Sequence, residues 1–152
     1  MLHRCHDKTL QHLKMLVRVL SKAPDGNTIP SSDWKLIDES MDFMSLQVKR
    51  HEEDEETSIF PMLESKHKSL IDRLKSEHQS QHHTLAQLKS SLRTVFQKRG
   101  RIQHALDLAG RLLHMYTHHI AHENKHLLPL VSDFSEETER QVKKEMRLRR
   151  SA

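Results

Sequence analysis

Histidine and glutamate recur in this sequence at a spacing that suits metal binding. Of the 152 residues, 14 are His. Two segments share the pattern His-x3-Glu-x5-Pro, one beginning at His51 and the other at His119. Residues four apart lie about one helical turn apart on the same face, so His51 with Glu55, and His119 with Glu123, can each reach a common point. The repeat therefore predicts two matching halves of one centre.

Further imidazoles stand on helix faces that should meet the core. Four segments each show an apolar stripe in steps of three and four residues, as amphipathic helices do. In every segment, one or two positions of the stripe carry His or Glu instead. Buried carboxylates and charged imidazoles without partners are costly, so these groups need one another or a cation. The positions, which we take as candidate metal ligands, are His6, His51, Glu55, His78, His82, His119 and Glu123.

This set offers six or seven nitrogen and oxygen ligands. A tetrahedral structural zinc ion needs only four, so the number better suits two octahedral ions that share bridging carboxylates. Imidazole with carboxylate fits Fe, Mn, Co or Zn, whereas the lack of thiolates argues against Cu(I) and iron–sulfur ligation. Paired iron fits the ligand number best, and helix bundles hold such carboxylate sites in their cores.

Helix breakers separate the segments that must position these ligands. Turn-forming residues fill 23–32, Pro61 and Pro129 interrupt two later segments, and Gly100 separates two more. The predicted helices are at about 2–22, 33–59, 66–99, 101–128 and 136–149.

Together these helices predict an all-α protein, an antiparallel up-down four-helix bundle with a short C-terminal fifth helix. The bundle would occupy residues 1–131, and residues 132–152 would add the short helix and tail to the same single domain. Residues 1–22 are basic and amphipathic like a transit peptide, but we expect them to stay as the first helix because they carry His6.

Composition agrees with a small helical protein. Three Gly and four Pro leave little material for the turns of a many-stranded sandwich or barrel. Only 35% of residues are hydrophobic, below the usual ~45–50%, so the core must be thin or contain something else. The single Cys excludes an internal disulfide framework and fits a reducing compartment. No apolar run is long enough for a membrane span, and we expect a cytoplasmic protein.

The remaining charged and polar residues have less specific interpretations. The net charge of +4 requires neither nucleic acid nor membrane, and no partner of either kind is expected. The basic tail is interpreted as a solvated helix face, with an anionic partner as the alternative. Tyr116 should either pack in the core or hydrogen-bond near His119. A solvated acidic face beside the site is predicted for Glu52, Glu53, Asp54 and Glu56.

Four stretches resemble the hemerythrin-like, HHE cation-binding domain family. They are Cys5-His6, residues 51–61, Glu77-His78 and residues 119–129, and the resemblance covers roughly residues 1–131. His82 stands where hemerythrins proper have the second His of a His-x3-His helix. The resemblance implies a four-helix bundle with a non-haem di-iron site ligated by His6, His51, Glu55, His78, His119 and Glu123.

One position departs from the hemerythrins proper. They place Asp five residues after the last-helix His, whereas Glu123 follows His119 by four, as in the wider HHE group. That group includes oxygen, nitric oxide and iron sensors and proteins linked to iron–sulfur repair. The resemblance thus implies two carboxylate-bridged iron ions that bind O2 or another small diatomic ligand, for oxygen binding or sensing. The alternative is a di-iron redox enzyme, a ferroxidase or peroxidase, or a nitric oxide or iron–sulfur repair protein.

Overall fold

The computed structural model describes residues 2–23 and 28–151, with side chains from residue 5 onward. Part of the predicted linker at 23–32 therefore lies outside the described residues. No helix within the described ranges is long and apolar enough to cross a membrane. The α-helices and the π-helical segments between them are α1 (Leu2–Lys22), α2 (Ser31–Phe43), π1 (Met44–Val48), α3 (Lys49–Asp54), π2 (Glu55–Ile59), α4 (Phe60–Phe96), α5 (Ile102–His122), π3 (Glu123–Leu127), α6 (Leu128–Ser132) and α7 (Glu136–Ser151).

The chain reverses direction inside α4. From α2 to the start of α4 the helical elements follow one another without a break, but His67 leaves helical conformation with φ −131° and ψ 37°. Nδ1 of His78 lies 2.7 Å from Oε1 of Glu56, 22 residues earlier. A straight helix of that length would separate the two by about 33 Å. Residues 31–66 and 68–96 are therefore two antiparallel rods joined at His67.

Four rods form the bundle: α1, residues 31–66, residues 68–96, and residues 102–132. Contacts join α1 to α5, α4 to α5, and α1 to α2, which confirms the predicted four-helix bundle. The first rod buries one stripe completely, with Leu13, Leu16 and Leu20 at most 1% exposed. The apolar stripe seen in the sequence is therefore the face of this helix that packs against the other rods.

The bundle interior contains two apolar clusters. The large cluster includes Leu13, Val48, Leu85 and Tyr116. The small cluster is formed by Ile59, Phe60, Leu63, Ile71, Leu74, Leu127, Val142 and Met146. The second rod passes from Val48 in the large cluster to Ile59 in the small one, so a layer of the bundle lies between them.

The two internal prolines do not end their helices, contrary to the sequence prediction. In π2 the N–H of Phe60 donates to the carbonyl of Glu55, five residues back, and in π3 Leu128 donates to Glu123 in the same way. Proline lacks an N–H, and its ring clashes with the preceding turn of an α-helix. The wider π turn accommodates it. The helical rods consequently run past the predicted ends at 59 and 128.

The turn between the third and fourth rods depends on glycine. Lys98 has a left-handed conformation, with φ 58°, and the N–H groups of Arg99 and Gly100 both donate to the carbonyl of Thr94. A Cβ on Gly100 would lie 2.3 Å from Oγ1 of Thr94 and 2.9 Å from the backbone nitrogen of Val95. Only glycine fits this close approach without a shift of the backbone.

Candidate metal centre

Six of the seven candidate ligands come together in the layer between the two apolar clusters. They form two groups of four, and within each group the ligand atoms all lie within 4.8 Å of one another. Each of the four rods contributes one imidazole, and the two carboxylates belong to both groups. The first group is His6, His51, Glu55 and Glu123, and the second is Glu55, His78, His119 and Glu123.

The carboxylates occupy the first positions of the two π segments. Glu55 opens π2 and Glu123 opens π3, so the repeat seen in the sequence is also a repeat of local structure. Both residues are 0% exposed. Single π turns inside helices occur frequently at functional sites, and here each lies directly after the α-helical turn that brings His51 or His119 alongside.

In the first half of the centre, two imidazoles and two carboxylates converge. Nε2 of His6 lies 2.9 Å from Oε2 of Glu123 and 3.1 Å from Nε2 of His51. Nε2 of His51 lies 3.1 Å from Oε1 of Glu55. The centroids of the two imidazole rings are 4.9 Å apart, with an angle of 84° between the ring planes.

The second half repeats this arrangement with the other pair of imidazoles. Nε2 of His119 lies 2.9 Å from Oε1 of Glu123 and 3.2 Å from Nε2 of His78. Nε2 of His78 lies 3.4 Å from Oε2 of Glu55, and the ring centroids are 4.8 Å apart. Each carboxylate therefore directs one oxygen to each half.

Two further carboxylates fix the orientation of the second pair of imidazoles. Nδ1 of His78 lies 2.7 Å from Oε1 of Glu56, and Nδ1 of His119 lies 2.7 Å from Oε2 of Glu77. An ionised carboxylate can only accept, so in both rings Nδ1–H donates. A neutral ring then turns the lone pair of Nε2 towards the centre. The two lone pairs face each other, and only a positive charge between them satisfies both.

The buried carboxylate oxygens also require a positive charge at the centre. All four oxygens of Glu55 and Glu123 are buried without a donor in hydrogen-bonding geometry among the described residues. Burial alone would lower the pKa of His78, but the neighbouring carboxylates, above all Glu55 and Glu52, raise it to about 9. Burial would raise the pKa of Glu123, but His119 and His6 hold it well below its usual range. The site attracts positive charge, and nitrogen and oxygen donors in these numbers fit divalent transition metals.

His82 is not brought together with the other candidate ligands. Its side chain is 50% exposed, and its Nε2 contacts Oε2 of Glu52. The other oxygen of Glu52 accepts a hydrogen bond from the hydroxyl of Tyr116 at 3.0 Å. Tyr116 therefore both packs in the large apolar cluster and hydrogen-bonds to a carboxylate beside the centre, so both expected roles are seen. Burial raises the pKa of Tyr116 well above its usual value, so this phenol keeps its proton.

The predicted solvated acidic face is wrong for Glu52 and Asp54, which are 3% and 4% exposed. Asp54 binds two arginines of the basic tail. Its Oδ1 accepts from Nη2 of Arg149 at 2.9 Å, and its Oδ2 accepts from Nη2 of Arg150 at 2.7 Å. Arg149 also donates to Oγ of Ser58 at 2.7 Å. Arg149 and Arg150 thus pair with the chain's own residues while their side chains stay 30% and 38% exposed.

A family model of the hemerythrin HHE cation binding domain matches residues 1–131. The chain belongs to this hemerythrin family. A search of curated proteins gave no significant match. Membership of a cation-binding family agrees with two clusters of His and Glu whose buried carboxylates have no donor in hydrogen-bonding geometry among the described residues.

Sequence reasoning missed the residues that support the candidate ligands of this hemerythrin domain. Glu56 and Glu77 were not assigned to the site, although each hydrogen-bonds to the imidazole of a candidate ligand. Their partners are 22 and 42 residues away, so no short motif reveals them. The available signal was the hairpin register, because a reversal at His67 sets Glu56 directly opposite His78.

Proposed function

We propose that this domain holds two non-haem iron ions bridged by Glu55 and Glu123, and that it binds O2 or another small diatomic ligand there for oxygen binding or sensing. The observation that carries this proposal is the division of each carboxylate between the two halves. Oε1 of Glu55 lies towards His51 while Oε2 lies towards His78. A single mononuclear site would not need two such carboxylates.

The donor count supports small-ligand binding. Each group offers four donor atoms, two from imidazoles and two from carboxylates, whereas an octahedral ion takes about six. Positions therefore remain for an added ligand. A pair of ferrous ions bound here would supply electrons for the reversible binding of O2. The ligand side chains are almost wholly buried, which restricts access to molecules of small size.

The chain's own residues hold two imidazoles of this centre in place. Glu56 and Glu77 hold His78 and His119 by their Nδ1–H groups. The ring of Phe60 stacks on His78, with centroids 5.9 Å apart and 16° between the ring planes. Fixed imidazoles and an aromatic cover favour one arrangement of ligands over a flexible one.

Metal analysis with optical spectroscopy tests the proposal. Protein purified from iron-rich medium should contain about two irons per chain, and the reduced protein mixed with O2 in a stopped-flow instrument should give a persistent oxygenated spectrum. Rapid decay with turnover of peroxide would favour the redox enzyme instead. A single zinc ion, or no metal in well-folded protein, would exclude the di-iron centre.

A further inference from the structure

A second set of histidines lies on the outer face of the fourth rod. His114, His118, His122 and His126 follow one another at intervals of four residues. In an α-helix a step of four overshoots one turn by about 40°, so such a row drifts around the helix. The rings of His118 and His122 accordingly have centroids 6.3 Å apart.

The π segment brings the last two rings closer together. π3 begins at Glu123, between His122 and His126, and its wider turn compensates for the overshoot. The ring centroids of His122 and His126 are 5.1 Å apart, with 78° between the ring planes.

This pair has the same geometry as the two imidazole pairs of the buried centre. Those pairs have centroid separations of 4.9 and 4.8 Å and interplanar angles of 84° and 63°. Two imidazoles that share one ion, each at about 2.0–2.1 Å from it, need this kind of separation. The outer pair is therefore spaced for a metal ion.

The surroundings of His122 favour a cation as well. Its Nδ1 is buried and has no hydrogen-bond partner among the described residues, and it lies 3.4 Å from Oε1 of Glu77. Nε of Arg73 donates to the same carboxylate oxygen at 3.2 Å, so Glu77 contributes charge but is not a free ligand. His126 is exposed and accessible to ions in solution.

We propose that His122 and His126 form an outer binding site for a divalent transition-metal ion, which the two imidazoles would share. The site is separate from the buried centre, and it suits ions that prefer imidazole, such as Ni²⁺, Cu²⁺ or Zn²⁺. Glu77 connects the two places, because its Oε2 accepts from Nδ1 of His119 while its Oε1 faces His122.

Nickel titration of the full chain, after loading with iron, tests the outer site. Isothermal calorimetry should show one Ni²⁺ bound per chain, and the double variant His122→Ala, His126→Ala should bind it at least tenfold more weakly. Even the outer partners of metal ligands change affinity by about 10–100-fold. The matched control is His83→Ala, His104→Ala, which removes two exposed histidines that have no His one turn away. Its nickel binding should equal that of the wild type.

Two further variants distinguish loss of the outer site from unfolding and from nickel binding at the buried centre. His126→Ala alone changes an exposed side chain and should still weaken nickel binding tenfold with an unchanged melting temperature. His51→Ala, which alters the buried centre, should retain the nickel. Equal nickel binding by wild type and the double variant would overturn the proposal. So would loss of the nickel in His51→Ala, or a wild type that binds none.

Discussion

At the scale of single residues, the acceptors of the Nδ1–H groups decide how the imidazoles face the centre. Glu77 holds His119 and is itself held by Nε of Arg73 at 3.2 Å. Glu56 holds His78 and is 40% exposed. A carboxylate in this position fixes the ring and makes its other nitrogen a better donor to metal.

Replacing Glu77 by Gln should weaken metal binding without unfolding the protein. The amide can still accept a hydrogen bond from His119, but it lacks the negative charge. We therefore expect the affinity for iron, measured by competition with a chelator, to fall about 10–100-fold. Glu64→Gln is the matched control, because it makes the same change of charge in a glutamate that pairs with Lys75 at 3.0 Å. Equal iron loss from the two variants would show that Glu77 does not support the site.

Removing one ligand imidazole should empty at least half of the centre. His51→Ala removes a donor from the first group, and His119→Ala removes one from the second. Each variant should retain at most one iron of about two when measured by elemental analysis of folded protein. His104→Ala, an exposed histidine, should retain both. Two irons in either ligand variant would contradict the assignment.

The residues that sequence reasoning could find are those whose side chains interrupt an apolar stripe. His6, His78 and Glu123 are such interruptions, and all three are buried in the centre. His82 follows the same rule but is half exposed, because a step of four along a straight helix drifts off the buried face. Glu52 and Asp54 could not be placed, since their partners Tyr116 and Arg149 are 64 and 95 residues away.

At the scale of elements, the sequence predicts which segments are helical, but it places some helix ends wrongly. The first helix, at 2–22, agrees with the sequence prediction to the residue. The predicted ends at residues 59 and 128, placed before Pro61 and Pro129, are wrong because a π turn before each proline lets the rod continue. The fifth helix, α7, packs Val142 and Met146 into the small apolar cluster, and we propose that it belongs to the same domain as the bundle.

Substitutions on the two faces of α7 test this membership. Met146 is 8% exposed, whereas Leu148 on the same helix is 60% exposed. Met146→Ala should lower the free energy of unfolding by about 2 kcal/mol or more, because it leaves a cavity in the small cluster. Leu148→Ala should change it by less than about 0.5 kcal/mol. Urea unfolding followed by circular dichroism measures both, and equal effects would mean that α7 is not docked on the bundle.

At the scale of the whole molecule, the metal should stabilise the fold, and more so as the pH rises. The pKa of His78 is about 9 in the metal-free fold and about 6.5 in an unfolded chain. Its protonation therefore stabilises the metal-free fold fully below pH 6.5, and this contribution is lost as the pH rises towards 9. Over the same range, protons compete less with metal for the imidazoles.

We therefore expect the melting temperature of the metal-loaded protein to exceed that of the chelated protein by a margin that grows from pH 6 to pH 9. Metal at a thousandfold excess over its dissociation constant contributes about 4 kcal/mol, or roughly 8–16 °C for a domain of this size. Differential scanning calorimetry at several pH values measures the margin. Identical melting with and without metal at pH 7.5 would show that the buried His and Glu layer does not carry the ion.

The reversal at His67 also sets the order in which the centre can assemble. Contacts between the second and third rods close loops of only 22 residues, as between Glu56 and His78, whereas His6 must find His51 across 45. Each doubling of a loop adds about 0.6 kcal/mol of closure entropy, and local contacts speed folding. The hairpin around His67 is therefore the expected folding nucleus. The N-terminal helix, which brings His6, and the fourth rod, which brings His119 across 41 residues from His78, would then dock onto this hairpin.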